Sequence, residues 1–593
     1  MRVMMTLSIT QRIELSMNKA INYQYLSSHE HDKYEITVAR AQQLFLEGWR
    51  VVLGLSGKDS IATSVCVIEG LKRAKAINAD VGPLYVVTTD TTIENIVIHD
   101  YMLTLHENIT AYATENDLPI ECHILKPALS SQPLIEYIGR GKLLRTPETS
   151  SKSRDCAYSW KIMPLKTFMS DLVKKHQTEK ICSMSGSRDD ESLKRAANLA
   201  KRQETEFTPV LTELGWTMAP IKNWTLNDVW QLFSIIEDGD IESYSDHFNL
   251  LKKHYSAGNG GVCDLFAGKS FNAAVKKCGS RHGCFLCCQT AKDTSLENQI
   301  EIDPKTYGFM KPLNDLRTFM LNTLFDYNYR STLGRKLTKD GYIKVGLNQY
   351  SLEYRMNLLR YVLSIQTDAY ELSGNHTIDL IDYRELLAIQ YHWSREGGES
   401  EAGMALKIWH EVVNEGVRYA IPETTYTPPA FTPEYRYFPL MKFVDNNQPE
   451  GLNDEGLDYK FKSLARMFKR NGENHRVIRY TESQSFDVVT ADAHAMTFVE
   501  DFYLDLVEGG HLDNKCPTVM LKQLLESGVV TLAKGTIGRV HDDARRAQAL
   551  NSLKATLDIP IPDAIMQLSV SERQMHLEIT SRVAQENPQQ TLF

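Results

Sequence analysis

Residues 50–71 leave a chain few ways to fold. The apolar run Val51-Val52-Leu53-Gly54-Leu55 reads as a buried strand. It breaks into the polar turn Ser56-Gly57-Lys58-Asp59-Ser60, and Ile61 to Leu71 then suits a helix. Strand, tight loop and helix start bring free backbone N–H groups and the positive end of a helix dipole to one point, which makes an anion site. Lys58 adds a mobile positive charge, and Ser56 and Ser60 add hydroxyl donors, so a phosphate chain is the expected guest. A Walker A loop is excluded. It needs G-x-x-x-x-G-K-[ST], whereas here Gly54 stands too close to Gly57 and Asp59 follows Lys58. The competing reading is an ordinary strand–helix turn capped by Ser and Asp.

Further strands follow at the spacing of alternating strand–helix units. Leu84 to Thr88, Ile120 to Leu125 and Lys180 to Met184 are short apolar runs, and Glu94 to Asn116 reads as a long helix. Such alternation predicts a parallel sheet covered on both faces, with ligands bound beyond the carboxyl ends of the strands. Three of those ends carry chemistry: Ser56–Ser60, Thr88–Glu94 and Ser185–Ser192. Asp90 and Glu94 suit a ribose, Mg²⁺ or a helix cap; Arg188 suits a phosphate; Glu191 and Ser192 suit a site or a helix start. Thr225-x-x-Asp228 is a capping box opening a helix to Ile236.

At 593 residues the chain exceeds a single core. The expected division is a helical brace over 1–45, an α/β domain over 46–240, a cysteine-rich segment over 241–300, a helical domain over 301–423, and an extension over 434–593 beyond a Pro/Thr-rich linker at Thr424–Pro433. A net charge of −9 argues against a generally basic nucleic-acid coat but allows a local basic groove. The best such stretch runs from 139 to 166, with Arg140, Lys142, Arg145, Lys152, Arg154, Lys161 and Lys166 interleaved with Tyr158 and Trp160. A second runs from Lys460 to Arg479, and a solvated basic face is the plainer reading of it. No run approaches the ~18 apolar residues of a membrane helix and Met1–Asn22 has no apolar core of a signal peptide, so a cytoplasmic protein without membrane contact is expected.

Ten cysteines in such a chain suggest thiols or metal ligands, not disulfides. Cys278, Cys284, Cys287 and Cys288 crowd into a short loop, where Cys284-x-x-Cys287 has ligand spacing and Cys278 can join across a turn. Cys288, Cys263 or the remote Cys156 is the candidate fourth ligand, and zinc, an iron–sulfur cluster and a redox dithiol remain open on spacing. Cys66, Cys122 and Cys182 read as small apolar filler.

Taken together, these motifs resemble a known group. Leu55-Ser56-Gly57-Lys58-Asp59-Ser60 is similar to the S-G-G-K-D-S signature of PP-loop ATP pyrophosphatases of the PAPS-reductase-like group, with Leu55 and Ser56 standing where that motif has Ser and Gly. Gly186-x-Arg188-x-x-Glu191-Ser192 and Pro220-Ile221-x-x-Trp224-Thr225-x-x-Asp228-Val229-Trp230 resemble two further motifs of the group. Ile138–Gly141 leading to Cys156 and Lys161, then Cys278–Cys287, then Gly346–Gln366, resemble the DNA phosphorothioation sulfurtransferases (DndC/SspD). The resemblance covers about residues 40 to 410 and implies a HUP-type α/β sheet with a PP-loop, an iron–sulfur segment and a mainly helical C-terminal region. It implies an ATP pyrophosphatase and sulfurtransferase of a bacterial DNA modification and defence system, with ATP, Mg²⁺ and a [4Fe-4S] cluster as cofactors. The implied partners are DNA, a cysteine desulfurase as sulfur donor and other phosphorothioation subunits. By motif, Lys58, Asp59 and Arg188 would be catalytic. Ser56, Gly57, Ser60, Asp90, Glu94, Glu191 and Ser192 would join them around ATP, and Cys156, Cys278, Cys284 and Cys287 would hold the cluster. A sulfonucleotide reductase, a tRNA thiolase and an inactive nucleotide- or DNA-binding subunit are the competing readings.

Overall fold

Four of the runs singled out above form neighbouring strands: three are short apolar runs that suit the sheet interior, and the fourth, Ile120–Leu125, alternates with polar residues and forms the edge. In the computed structural model these are β1 (Arg50–Gly54), β2 (Leu84–Thr89), β3 (Ile120–Leu125) and β4 (Ile181–Met184). The structure describes residues 30–149, 155–261, 280, 282–373, 378–397, 401–429, 435–440, 466–470, 473–477, 486–488, 492–513, 516–533, 535–557 and 561–586. Two short strands, β5 (Val210–Thr212) and β6 (Gly215–Met218), complete a sheet of order β3-β2-β1-β4-β6-β5. All neighbouring pairs are parallel except the terminal β5–β6 pair. The expected α/β sheet is thus present, with an antiparallel edge. Its helices are α1 (Glu30–Leu46), α2 (Lys58–Ile77), α3 (Ile96–Glu115), α4 (Met163–His176), α5 (Leu193–Arg202), α6 (Leu226–Glu237) and α7 (Asn249–Gly258).

Alternation along the strands divides the core. Val51, Leu53, Leu84, Val86, Cys182 and Met184 pack with α1, α2, α3 and α6 on one face. Val52, Tyr85, Val87 and Ile181 pack with Met169 and Leu172 of α4 on the other. Cys66 and Cys182 are fully buried in this core, as apolar filler should be. Each fully buried aliphatic side chain contributes about 1.5–3 kcal/mol.

The chain divides into two units, residues 1–127 with 156–283, and residues 128–155 with 284–593. Besides joining the 1–45 brace to the α/β domain and dividing the expected 241–300 segment after residue 283, this differs from the expected boundaries in two ways. Residues 128–155, read from sequence as part of the 46–240 domain, belong to the second unit. There Trp393 Nε1 donates to the Ile138 carbonyl at 2.9 Å, Arg355 donates to the Gly139 carbonyl at 2.9 Å, and the Tyr350 amide donates to the Gly141 carbonyl at 2.8 Å. Gly141 takes φ +62°, and a Cβ there would lie 3.0 Å from both Arg355 and the Tyr350 carbonyl. Second, residues 301–423 and the later extension form one unit, because strands on either side of the linker pair.

The second unit is mainly helical, including α8 (Lys311–Asn322), α9 (Leu352–Ser373), α10 (Tyr383–Glu396) and α11 (Ile537–Thr556). Its strands are β7 (Leu333–Leu337), β8 (Ile343–Val345), β9 (Arg436–Phe438), β10 (Arg466–Arg470), β11 (Glu473–Val477), β12 (Phe486–Val488), β13 (Val530–Leu532) and β14 (Val570–Ser571). Four of them form an antiparallel sheet of order β14-β9-β8-β7, which packs through Ile343, Val345 and Phe438 on Leu550 and Leu553 of α11. Among the described residues no helix is long and apolar enough to cross a membrane.

The α1–α2 crossing yields a test. A Cβ on Gly70 would lie 2.7 Å from Ala41 Cβ and 2.9 Å from both the Gln42 amide nitrogen and the Val38 carbonyl oxygen. Helix propensity alone makes Gly70→Ala stabilising by about 1 kcal/mol. Contact with a neighbouring backbone reverses the sign, and urea unfolding should find Gly70→Ala less stable by about 1–3 kcal/mol.

Candidate functional site

The turn after β1 closes on a single oxygen. The amides of Ser56 and Gly57 donate to Ser60 Oγ at 2.8 and 3.0 Å, and that hydroxyl donates to the Gly57 carbonyl at 2.8 Å. Gly57 is extended and is the N-cap of α2, so the positive end of that helix lies at the turn. Two backbone N–H groups converging on one oxygen at these distances is the geometry that binds a phosphate oxygen.

The cations around the turn are held by Asp59. Lys58 Nζ lies 3.2 Å from Asp59 Oδ2, and Arg188 Nε donates to Asp59 Oδ1 at 2.9 Å. Arg188 is buried, and its Nη1 reaches the Trp224 carbonyl at 3.3 Å and Asp190 at 3.5 Å. The strand-end loops of β1 and β4 can meet because Gly186 has no side chain: a Cβ there would lie 2.5 Å from the Ser60 amide nitrogen. Trp224, Val229 and Trp230 are buried core, and the Asp228 carboxylate accepts from the Thr225 amide in the expected capping box. The Pro220–Trp230 motif therefore builds the core and presents one carbonyl to Arg188.

The loop after β2 is held in a strained shape. Thr92, a β-branched residue, takes φ +65°, fixed by its amide donating to Asp90 Oδ1 at 2.7 Å. Asp90 is buried. Burial opposes its charge, but His99 at 3.5 Å, the Thr92 amide and Lys126 at 3.6 Å outweigh that and hold its carboxyl below the usual range. Glu94 accepts from Thr91 Oγ1 and pairs with Lys161 Nζ, both at 2.8 Å. Neither acid caps the next helix. Asn95 does, through its side chain and the Ile98 amide. Ser192 caps α5, while Glu191 pairs with Arg195 at 2.9 Å. The sequence-assigned residues on the three loops thus lie in one unit, with Ser192 in a structural role.

Four neighbours were not predicted from sequence. The Tyr255 hydroxyl of α7 accepts from the Lys58 amide at 3.4 Å, and Lys58 Nζ sits 4.9 Å from the centre of its ring. Lys161, read from sequence in a basic stretch and in the Cys156–Lys161 motif but not as a site residue, pairs with Glu94. His106 shares a 2.7 Å hydrogen bond with Thr88 Oγ1, which donates to the Leu55 carbonyl at 2.9 Å. His99 faces Asp90. His99 lies nine residues beyond Asp90 and His106 sixteen beyond Asp90, and no local pattern marks either ring as a neighbour of the strand ends.

The cysteines are only partly described. Cys284 and Cys287 form a tight turn, with the Cys287 amide donating to the Cys284 carbonyl at 2.8 Å. Arg317 of α8 fixes it, donating to the carbonyls of Cys287 at 2.8 Å and Ala291 at 3.2 Å. Cys288 is buried, which pushes its thiol up to about 12. Cys156 lies in the α/β unit and is half-buried. Cys278, Cys263, Lys152 and Arg154 lie outside the described residues. Among the described residues no three His, Cys, Asp or Glu side chains are arranged to hold a metal ion.

Two histidines give the unit a pH dependence with two limbs. Burial, aided by His123, pushes His106 down to about 4, so the unfolded chain binds the extra proton between about pH 6.5 and 4 and stability falls as pH falls through that window. Asp100 and Asp90 raise His99 to about 9, so its contribution is full below about pH 6.5 and is lost as pH rises towards 9. His106→Gln should flatten the acid limb of the urea midpoint against pH, and His99→Gln the alkaline limb; the reverse assignment would contradict both placements.

Residues 52–237 match the family model described as the phosphoadenosine phosphosulfate reductase domain. No curated protein matches the chain. A similar solved structure is a phosphoadenylyl-sulfate (PAPS) reductase from Candida auris in a phosphate complex. It is 12% identical, with 40% of this chain and 91% of that chain covered and a TM-score of 0.21, and at that score it carries no further argument. The α/β unit therefore contains a PAPS-reductase-like domain over residues 52–237.

Proposed function

We propose that this chain is an ATP-dependent sulfurtransferase that activates a DNA backbone phosphate for sulfur insertion. The observation that supports it most is the convergence of the Ser56 and Gly57 amides on one oxygen, with Lys58 and Arg188 flanking the same turn. That arrangement suits a departing pyrophosphate. A non-bridging oxygen of the DNA phosphodiester attacks the α-phosphorus of ATP, and the bond to pyrophosphate breaks. A thiol reductant releases the persulfide sulfur of a cysteine desulfurase as hydrosulfide and is itself oxidised to a disulfide; the hydrosulfide then attacks the DNA phosphorus, and AMP leaves with the bridging oxygen. Lys58, Arg188 and the loop amides stabilise the pyrophosphate charge, worth about 3–4 kcal/mol for one well-placed donor. Ser60 yields its place to a phosphate oxygen. Asp90 and Glu94 lie on the β2 loop for the nucleotide and Mg²⁺.

Cys156, Cys278, Cys284 and Cys287 would hold a [4Fe-4S] cluster, four thiolates being a donor set that suits it. Protein purified without air should absorb broadly in the visible and contain iron and sulfide. A colourless protein carrying zinc would remove the cluster from the scheme.

A second reading is favoured by the match of residues 52–237: a sulfonucleotide reductase holding an adenylyl sulfate on the same loop. Products separate the two. The sulfurtransferase should convert ATP to AMP and pyrophosphate and place sulfur in DNA, and Lys58→Ala should slow AMP release by about 10²–10³-fold. ADP and phosphate as products would sink it, and sulfite release with a thiol reductant would establish the reductase instead.

A further inference from the structure

The second unit contains a cationic pocket unrelated to the PP-loop. It has a volume of about 480 Å³ and is lined by Lys142, Arg145, Lys344, Asn348 and Gln349 together with backbone at Gly334 and Gly346. No carboxylate is among its lining residues. The acids that balance two of its cations sit outside that lining: Lys142 pairs with Glu136, which also lies 3.6 Å from Arg140, and Arg145 pairs with Asp155 at 2.9 Å. Arg145 Nε is buried with no hydrogen-bond partner among the described residues. Lys344 has no carboxylate partner among them, and its Nζ lies 3.3 Å from the centre of the Tyr435 ring.

Tyr435 supplies the second observation. It is 55% exposed, the most exposed aromatic among the described large hydrophobic side chains. Gly346 lies beside it: a Cβ there would lie 3.5 Å from the Tyr435 ring, an ordinary contact distance. The strands β8 and β9 that carry Lys344 and precede or follow these residues are paired, with Lys344 opposite Tyr437. The cation is therefore presented by a strand, and the ring stands immediately before one. Positive charge beside an exposed aromatic face is the combination that binds a nucleic-acid strand, the charge taking phosphate and the ring taking a base.

We propose that this pocket binds a DNA strand, a backbone phosphate meeting Lys344, Lys142 and Arg145 and an unpaired base stacking on Tyr435. The proposal rests on the DNA reading above and extends it to a surface that reading does not use.

The test is binding of a fluorescein-labelled single-stranded oligodeoxynucleotide, followed by anisotropy at several salt concentrations. Tyr435→Ala should weaken binding at least about fivefold without changing the salt slope, and Tyr435→Phe should restore it. Lys344→Gln should reduce the slope by about 0.7, the value for one phosphate contact on a single strand. Urea unfolding midpoints should match the wild type in all three variants, which checks that they fold. If the wild type binds the oligonucleotide and neither Lys344→Gln nor Tyr435→Ala alters affinity or slope, the pocket assignment is overturned while the DNA reading stands. If the wild type binds neither single-stranded nor duplex DNA, both fall.

Discussion

The buried contact between Arg188 and Asp59 is the constraint on which the α/β unit's chemistry depends. The guanidinium joins three pieces of chain: the loop after β1 through Asp59, its own loop after β4, and the approach to α6 through the Trp224 carbonyl. Asp190 extends the tie, accepting from the Leu226 amide at 3.1 Å. A charge buried this completely is tolerable only while its partners stay in place, and removing one side of such a pair typically costs about 3–5 kcal/mol. The phosphate loop is therefore not an independent motif grafted on a sheet. Its shape is set by a residue far along the chain, and by Gly186, whose missing side chain lets two strand-end loops touch.

That dependence explains what could and could not be read from the amino acids. Strands β1 to β4 were legible because each is a short, mostly apolar run between polar turns, and the capping box at Thr225–Asp228 was legible because its rule is local. Strands β5 and β6 were not, since Val-Leu-Thr and Gly-Trp-Thr-Met carry no alternation that outweighs their polar surroundings. The membership of residues 128–155 was illegible for a stronger reason. It is decided by Tyr350, Arg355 and Trp393, more than 200 residues away, and no local pattern encodes such a contact. The basic stretch over 139–166 met the same fate: Arg140, Lys142 and Arg145 belong to one unit and Lys161 and Lys166 to the other.

The candidate site divides along the same line. Residues on the loops themselves were found from motif and position, whereas the groups that tune them were not. Tyr255 under Lys58, His99 against Asp90 and His106 beneath Thr88 come from helices whose sequences signal only helix. The strained Thr92 has no signature either, because a threonine at positive φ is held there by tertiary contacts and opposed by its own local preference.

The state of the loop also limits what it can accept. Asp59 holds Lys58 and Arg188 at once, and Ser60 Oγ takes both converging amides, so charges and donors are already satisfied within the turn. An entering anion must outbid a carboxylate for two cations and a hydroxyl for two amides. At an effective dielectric of about 20 each close pair is worth several kcal/mol, so a single negative charge gains little over Asp59. A chain of phosphates brings several charges on one tether and can engage Lys58, Arg188 and the amides together. On the proposed ATP reading, the internal pairing that stabilises the turn would also discriminate, favouring a polyphosphate over a lone carboxylate before any base or ribose is recognised.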